Sequence, residues 1–220
     1  NLALAIAFAV IIFTSCDANA AVTAGYEEKV NWRATYPIVS IANNPSAQEI
    51  INQDLNSYLE QLRSVFQRGR YYSCKEWFQV HYEDDNLLSI SIYQIRLPYG
   101  GNGNHTYNYD LVYNKNTGQR IPLYNYVHVT PDDLEFYRGA HTYNFKGKAI
   151  YKRNNPWRID YVPQNYFLLG NGVICVVFPV YKLSAGVDGP CYIRLEPNYI
   201  EYLNRKNQWE TFVRKWNYDT

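Results

Sequence analysis

Residues 46–66 read SAQEIINQDLNSYLEQLRSVF, and this stretch predicts a long amphipathic helix. Its apolar side chains recur at the spacing of one helical face, at Ile50, Ile51, Leu55, Tyr58, Leu59, Leu62, Val65 and Phe66. The opposite face is polar, which indicates that the helix packs against a sheet on one side only. Ser46 and Glu49 have the spacing of a capping box, and Gly69 is expected to end the helix.

Strand patterns follow this helix. Residues 87–97 alternate between the apolar Leu88, Ile90 and Ile92 and a more polar set that contains two serines, which predicts a half-buried strand. Further strand patterns cover residues 72–82, 106–114, 173–180 and 192–195. The run 173–180 is apolar throughout, as is typical of a central strand buried on both faces.

Two shorter helices are expected in the second half of the chain. One starts at Thr130-Pro131 with acids in its first turn, and Arg138-Gly139 is expected to close it. The other opens at Glu196-Pro197 and is expected to run through Leu203. The sequence therefore predicts an α+β fold, an antiparallel sheet with one long helix and shorter helices packed on it.

The first residues look like a targeting leader. Residues 2–13 are an uncharged apolar run of twelve, shorter than the roughly 20 residues that a spanning helix needs. Two cleavage sites compete: the lipobox-like Phe13-Thr14-Ser15-Cys16, with lipidation of Cys16, and the small-x-small Ala18-Asn19-Ala20. The expected divisions are a leader over 1–20, a domain over 26–204 and an amphipathic tail over 205–220. The protein is expected to be exported, lipid-anchored at the envelope or otherwise periplasmic or secreted.

Composition limits the partners. The 21 basic and 20 acidic residues nearly balance, which argues against a nucleic-acid partner and against membrane binding other than through a lipid anchor. The 23 tyrosines and 5 tryptophans suit stacking on sugars or burial in a protein interface, although many tyrosines serve simply as strand formers. We expect cell-wall glycan or an envelope protein as the partner, and no cofactor.

The cysteines beyond the leader are Cys74, Cys175 and Cys191. Cys175 and Cys191 lie on consecutive predicted strands and are the preferred disulfide pair in an oxidising compartment. No cysteine has the spacing of a metal site.

Catalytic signals are sparse. The four histidines are scattered, no G-x-S-x-G motif is present, and helix-start chemistry accounts for the acidic pair Asp132-Asp133. One dispersed site stays open as an alternative, in which His105 works with Asp84 or Asp85. A binding surface is the stronger hypothesis, because Tyr99, Tyr107 and Tyr109 flank the Gly100-Gly101 loop. Cross-strand tyrosine pairing is the alternative explanation for these rings.

Several blocks occur in an order that is similar to a known family. They are Tyr36-Pro37-Ile38, Leu88-Ser89-Ile90-Ser91, Tyr99-Gly100-Gly101 with His105, Tyr109-Asp110-Leu111, and Phe178-Pro179-Val180-Tyr181-Lys182-Leu183 with Gly189-Pro190. This order resembles the extracytoplasmic domain of RsiV-type anti-sigma factors, which also precedes some peptidoglycan deacetylases and occurs in stand-alone lipoproteins. The resemblance implies an α+β fold and a binding role, with lysozyme as the ligand of the sensor members. It adds Gly100, Gly101, His105 and Tyr181 to the candidate ligand-binding residues.

Two exposed segments depart from the family pattern, at residues 102–104 and 185–188, so no relative's partner transfers directly. The sequence predicts a non-catalytic extracytoplasmic binding module that recognises peptidoglycan or a wall-active protein such as lysozyme. The alternatives are an envelope enzyme that acts on cell-wall glycan through His105 and nearby acids, and a structural lipoprotein without a small ligand.

Overall fold

The computed structural model describes residues 20–101, 103–150 and 158–218. Residues 1–19 of the predicted leader, including its lipidation site Cys16, lie outside this description, whereas Ala20 is the first residue of a strand. The described part of the chain forms two sheets and three helices, so the α+β class is confirmed. None of its helices has the length and apolar character needed to cross a bilayer.

The first sheet contains five strands in sequential order. They are Ala20–Lys29 (β1), Trp32–Ile41 (β2), Tyr71–Glu83 (β3), Leu87–Pro98 (β4) and His105–Asn114 (β5). Neighbours are antiparallel except β2 and β3, which are parallel over residues 32–34 and 74–76. The sheet is therefore mixed rather than purely antiparallel, because the long helix connects β2 to β3 as a crossover.

The long helix, α1, spans Pro45–Gln67 and buries one face against this sheet. Four of the predicted positions are fully buried, at Ile51, Leu55, Leu59 and Leu62, together with Ala47, whereas the predicted Ile50 is exposed. Its N-cap differs from the predicted Ser46: the Asn44 side chain accepts the N–H of Ala47 at 3.1 Å, and Pro45 occupies the first turn. The stripe is therefore predictable from periodicity, whereas the cap is displaced by two residues.

The second sheet contains four short antiparallel strands in the order β6-β9-β8-β7. They are Thr142–Asn144 (β6), Tyr166–Gly170 (β7), Val173–Phe178 (β8) and Cys191–Leu195 (β9). Every residue of β8 is buried, as its continuous apolar run predicts. The sheet packs β7 across the face of the first sheet that α1 leaves uncovered, where the Leu168 N–H donates to Ser89 Oγ at 2.9 Å.

Two helices accompany this second sheet. Helix α2 spans Pro131–His141, with the capping box of Thr130 and Asp133 at its start, and it runs past the predicted end at Arg138-Gly139. Helix α3 spans Pro197–Tyr218 without interruption. Residues 205–218 therefore continue α3 and are not a separate element, since no Gly or Pro follows Leu203 to stop the helix.

The predicted Cys175–Cys191 disulfide is wrong. Across β8 and β9, Cys175 pairs with Arg194 and Cys191 pairs with Phe178, so the cysteines are offset by three positions. An odd offset places them on opposite faces of the sheet, and roughly 10 Å of strand separates them, beyond disulfide reach. Both cysteines, like Cys74, are buried thiols.

Candidate functional site

A cleft of about 270 Å³ lies between the two sheets, and we call it the intersheet cleft. Its polar lining comes from three strands of the first sheet and one of the second, at Gln79, His81, Tyr93, Asn108, Asp110 and Tyr192. Its apolar lining includes Phe145 and Phe167, and Lys146 lies beside Phe145 in the turn after β6. The two sheets thus enclose polar side chains between aromatic walls.

The strand register brings the polar side chains together. Gln79 on β3 is opposite Ser91 on β4, which is opposite Asp110 on β5. The neighbouring row along the same face consists of Trp77, Tyr93 and Asn108. Side chains two residues apart on one strand share a face, so both rows point away from α1 and toward the second sheet.

A hydrogen-bonded chain runs across the floor of the cleft. Ser91 Oγ donates to Asp110 Oδ1 at 2.5 Å, and Asn108 Nδ2 donates to Asp110 Oδ2 at 2.6 Å. His81 Nε2 lies 2.7 Å from Ser91 Oγ. Since the single hydroxyl proton of Ser91 goes to Asp110, His81 must donate through Nε2, which assigns it the Nε2–H tautomer.

Burial changes the proton affinities at both ends of this chain. Desolvation lowers the pKa of His81 to about 4, so the imidazole is neutral at pH 7. Desolvation raises the pKa of Asp110 to about 6, although the hydrogen bonds from Ser91 and Asn108 oppose the rise. At pH 7 the floor of the cleft therefore carries one largely ionised carboxylate beside a neutral histidine.

Aromatic rings form the walls. Phe167 on β7 stacks on His81 with centroids 4.0 Å apart, and Tyr192 on β9 meets Phe167 edge-on at 5.1 Å. Trp77 stacks on Tyr93 at 5.3 Å. Aromatic walls around a few fixed polar groups are typical of small-ligand sites, because the rings supply area and the polar groups supply orientation.

The ligand residues suggested by the sequence lie elsewhere, at the end of the β4–β5 hairpin. Tyr99 is 66% exposed and meets Tyr72 edge-on at 5.7 Å. Backbone geometry accounts for both glycines: Gly100 has a φ of 63°, and a Cβ on Gly101 would lie 2.3 Å from the Pro98 ring. A ligand role for this loop stays a prediction.

The remaining predicted residues spread along β5 and beyond it. His105 is exposed and meets the Tyr71 ring edge-on at 5.9 Å. Tyr107 covers the Arg96 guanidinium at 4.2 Å, and Tyr109 packs on Tyr58 of α1 at 4.5 Å. Tyr107 and Tyr109 therefore contribute to packing along one face of the sheet.

Tyr181 lies in the connection between β8 and β9 and is 68% exposed. A shallow groove joins Tyr107 to Pro179 and Val180, the two residues before it. The structure thus brings the neighbours of Tyr181 close to β5, but it does not gather the predicted residues into one pocket.

The alternative catalytic site of His105 with Asp84 or Asp85 does not assemble. His105 is opposite Arg96 at one end of the hairpin, whereas the acids precede Leu87 at the other end. Arg96 lies nine residue steps along β4 from Leu87, roughly 30 Å of extended chain. Asp84 instead accepts the backbone N–H groups of residues 86 and 87 and holds the β3–β4 turn.

The intersheet cleft could not be predicted from the sequence, because the alternating pattern of β4 indicates a solvent-facing polar side. Ser89 and Ser91 are fully buried, and β7 covers Ser89, whose Oγ accepts the Leu168 N–H. The available signal was the choice of residues: two serines on one face of a strand, Ser89 and Ser91, suit a covered polar surface as well as an exposed one. Within residues 20–101, 103–150 and 158–218, no three His, Cys, Asp or Glu side chains gather as a metal ion requires.

Solved structures with a similar fold are known. No protein-family model and no curated protein matches this chain in sequence. A DUF3298 family member from Bacteroides fragilis is similar in structure, with a TM-score of 0.54 and 13% identity over 84% of this chain and 92% of that chain. A DUF3298 family protein from Pseudomonas aeruginosa has a TM-score of 0.51 and 8% identity over 84% and 93%. At these identities the likeness shows the fold alone: this chain folds as DUF3298 proteins do.

Proposed function

We propose that this protein is a non-catalytic, extracytoplasmic binding module of the cell envelope that recognises cell-wall glycan in the intersheet cleft. The observation that carries the proposal is the pairing of aromatic walls with a hydrogen-bonded polar floor. Sugar rings present apolar faces that stack on aromatic side chains, and their hydroxyl groups donate to carboxylates and amides. Asp110, Asn108 and Gln79 supply such groups from two strands of one sheet.

The hydrogen-bond arrangement supports binding over chemistry. Ser91 is fully buried beneath the floor, and its hydroxyl proton is donated to Asp110. The Ser91 hydroxyl is therefore poorly placed to act as a nucleophile. His81 donates its Nε2 proton to Ser91, and its ring stacks on Phe167. These two contacts fix the orientation of the imidazole. A floor held rigidly by its own hydrogen bonds is preorganised to receive a ligand.

The sequence context agrees with an envelope role. The apolar run before Cys16 has the length of a signal peptide, and the order of motifs resembles the RsiV-type extracytoplasmic domain. Only three residues separate Cys16 from the start of β1 at Ala20, so lipidation would hold the domain against the membrane surface. Mass spectrometry of the mature N-terminus tests this part, and an unmodified N-terminus at Ala21 would contradict the lipid anchor.

Retention on purified cell-wall sacculi tests the glycan proposal. The wild-type domain should sediment with sacculi, and Gln79→Ala should weaken retention, because Gln79 is an exposed residue that lines the cleft. Tyr99→Ala is the matched control, since it removes an exposed side chain at the hairpin loop, and it should leave retention unchanged. Failure of the wild-type domain to sediment would sink the proposal.

A second candidate function is the binding of a wall-active protein such as lysozyme. The edge-on pair of Tyr72 and Tyr99 favours protein binding, because Tyr72 is 46% and Tyr99 is 66% exposed beside an exposed loop. In this case Tyr99→Ala should abolish lysozyme capture while Gln79→Ala should not. The two variants therefore separate the glycan hypothesis from the protein hypothesis.

A further inference from the structure

Asp110 is a buried carboxylate that lacks a cation. It is 7% exposed, and it accepts hydrogen bonds from the neutral side chains of Ser91 and Asn108. Among the residues that the structure describes, no ion pair includes Asp110. A buried anion without a counter-ion is unfavourable, so the site gains from any cationic group that enters the cleft.

The walls of the cleft also suit a cation. Tyr93, Phe167 and Tyr192 line the same space as Asp110, and Phe145 lies at the turn after β6. The negative faces of aromatic rings attract ammonium groups, most strongly where water is excluded. A cleft with a carboxylate at its floor and aromatic rings in its walls is therefore suited to binding an ammonium group.

The lining contains one cation of its own, which is placed differently. Lys146 is exposed, and its ammonium lies 5.5 Å from the centroid of the Phe145 ring. This contact shows that an aromatic ring of the lining already accepts an ammonium group. The Lys146 ammonium therefore contacts the Phe145 ring, and the Asp110 carboxylate stays available to a cationic ligand.

We propose that the intersheet cleft binds a protonated amino group of its ligand, with Asp110 as the counter-ion. The inference rests on the proposed glycan function and narrows it: the recognised glycan carries free amino sugars rather than only acetylated ones. Acetylation removes the positive charge and adds a bulky acyl group, so the buried carboxylate distinguishes the two forms. The role of Asp110 is recognition, and no bond is made or broken.

Isothermal titration calorimetry at neutral pH tests this with two probes of equal length, a glucosamine oligomer and an N-acetylglucosamine oligomer. We expect the wild-type protein to bind the glucosamine oligomer roughly ten- to a hundredfold more tightly, as expected for a charge-assisted hydrogen bond. Equal affinities, or tighter binding of the acetylated oligomer, would overturn the inference and leave the glycan proposal standing. Binding of neither oligomer, together with no retention on sacculi, would overturn both.

Two variants test whether the preference for the glucosamine oligomer depends on Asp110. Asp110→Asn keeps a hydrogen-bonding side chain and removes the charge, so it should abolish the preference for the glucosamine oligomer. A preference that survives in Asp110→Asn would overturn the inference. Lys146→Gln removes the lining cation and should keep or increase the preference; its loss in this variant would also count against the proposal. Because the primary comparison uses two probes on the wild-type protein, it stays decisive even if Asp110→Asn fails to fold.

Discussion

Ser91 is the residue on which the floor of the intersheet cleft depends. It accepts from His81 and donates to Asp110, and all three side chains are removed from most of the solvent. Without the Ser91 hydroxyl, a buried carboxylate loses one hydrogen-bond donor and His81 Nε2–H loses its acceptor. The cost of leaving such groups unsatisfied exceeds the net gain of an ordinary hydrogen bond.

Ser91→Ala should therefore lower the free energy of unfolding by about 1–3 kcal/mol. Urea denaturation followed by circular dichroism measures this change. Ser40→Ala, at an exposed position of β2, is the matched control and should stay within about 0.5 kcal/mol of wild type. Equal stabilities of the two variants would show that the buried hydrogen bonds contribute little.

Glu76 is a second buried carboxyl, on the α1 side of the first sheet. Desolvation raises its pKa to about 7, against a hydrogen bond from Gln94 that lowers it. The folded state thus holds this proton more tightly than the unfolded chain does. The stabilisation is fully present below pH 4.5, the ordinary pKa, and is lost as the pH rises toward 7.

Glu76→Gln removes this titration and keeps an acceptor for Gln94. Its free energy of unfolding should increase relative to wild type between pH 4.5 and 7, by roughly 3 kcal/mol. Urea denaturation at several pH values measures the difference. Glu49→Gln, on the exposed face of α1, controls for the loss of one carboxylate. A pH-independent difference for Glu76→Gln would contradict the assignment.

Among the elements, α1 and β8 could be predicted from sequence and β4 only in part. The apolar period of α1 and the unbroken apolar run of β8 are local signals, and both match the structure. The burial of the polar face of β4 could not be predicted locally, because its cover comes from β7, nearly eighty residues later in the chain. The parallel pairing of β2 with β3 likewise depends on a crossover that local periodicity does not specify.

The start of α1 provides a direct comparison of the sequence prediction with the structure. Asn44 accepts the Ala47 N–H and also donates to the Asn116 carbonyl at 2.7 Å, so Asn44→Ala should lower the free energy of unfolding by about 1–2 kcal/mol. Ser46→Ala should cost less than about 0.5 kcal/mol, because Ser46 already lies inside the helix. Thermal or urea denaturation of both variants measures the two losses of stability. A larger loss for Ser46→Ala than for Asn44→Ala would identify Ser46 as the cap.

The register of β8 and β9 leads to a chemical prediction. Alkylation and digestion of the denatured protein without reductant should give no peptide that is crosslinked between Cys175 and Cys191, because the two cysteines face opposite sides of their sheet. Peptide mass spectrometry measures the result. A crosslinked peptide that contains both Cys175 and Cys191 would require a different register.

At the scale of the whole molecule, the two sheets together create a site that neither contains alone. The first sheet supplies the hydrogen-bonded floor, and the second supplies Phe167 and Tyr192 for the walls. The likeness of fold to the two DUF3298 structures extends over 84% of the chain. Sequence reasoning reached the α+β class but not the cleft, since a space between sheets depends on their mutual packing.

The most direct test of the proposed glycan binding in the intersheet cleft is an NMR titration of the isotope-labelled protein with soluble cell-wall glycan fragments. We predict that backbone amide shifts cluster at Gln79, Asn108 and Tyr192, which lie on β3, β5 and β9 and meet at the intersheet cleft. Amides of the β4–β5 loop around Tyr99 should not move. Shifts confined to that loop, or no shifts at millimolar fragment concentrations, would contradict the central claim.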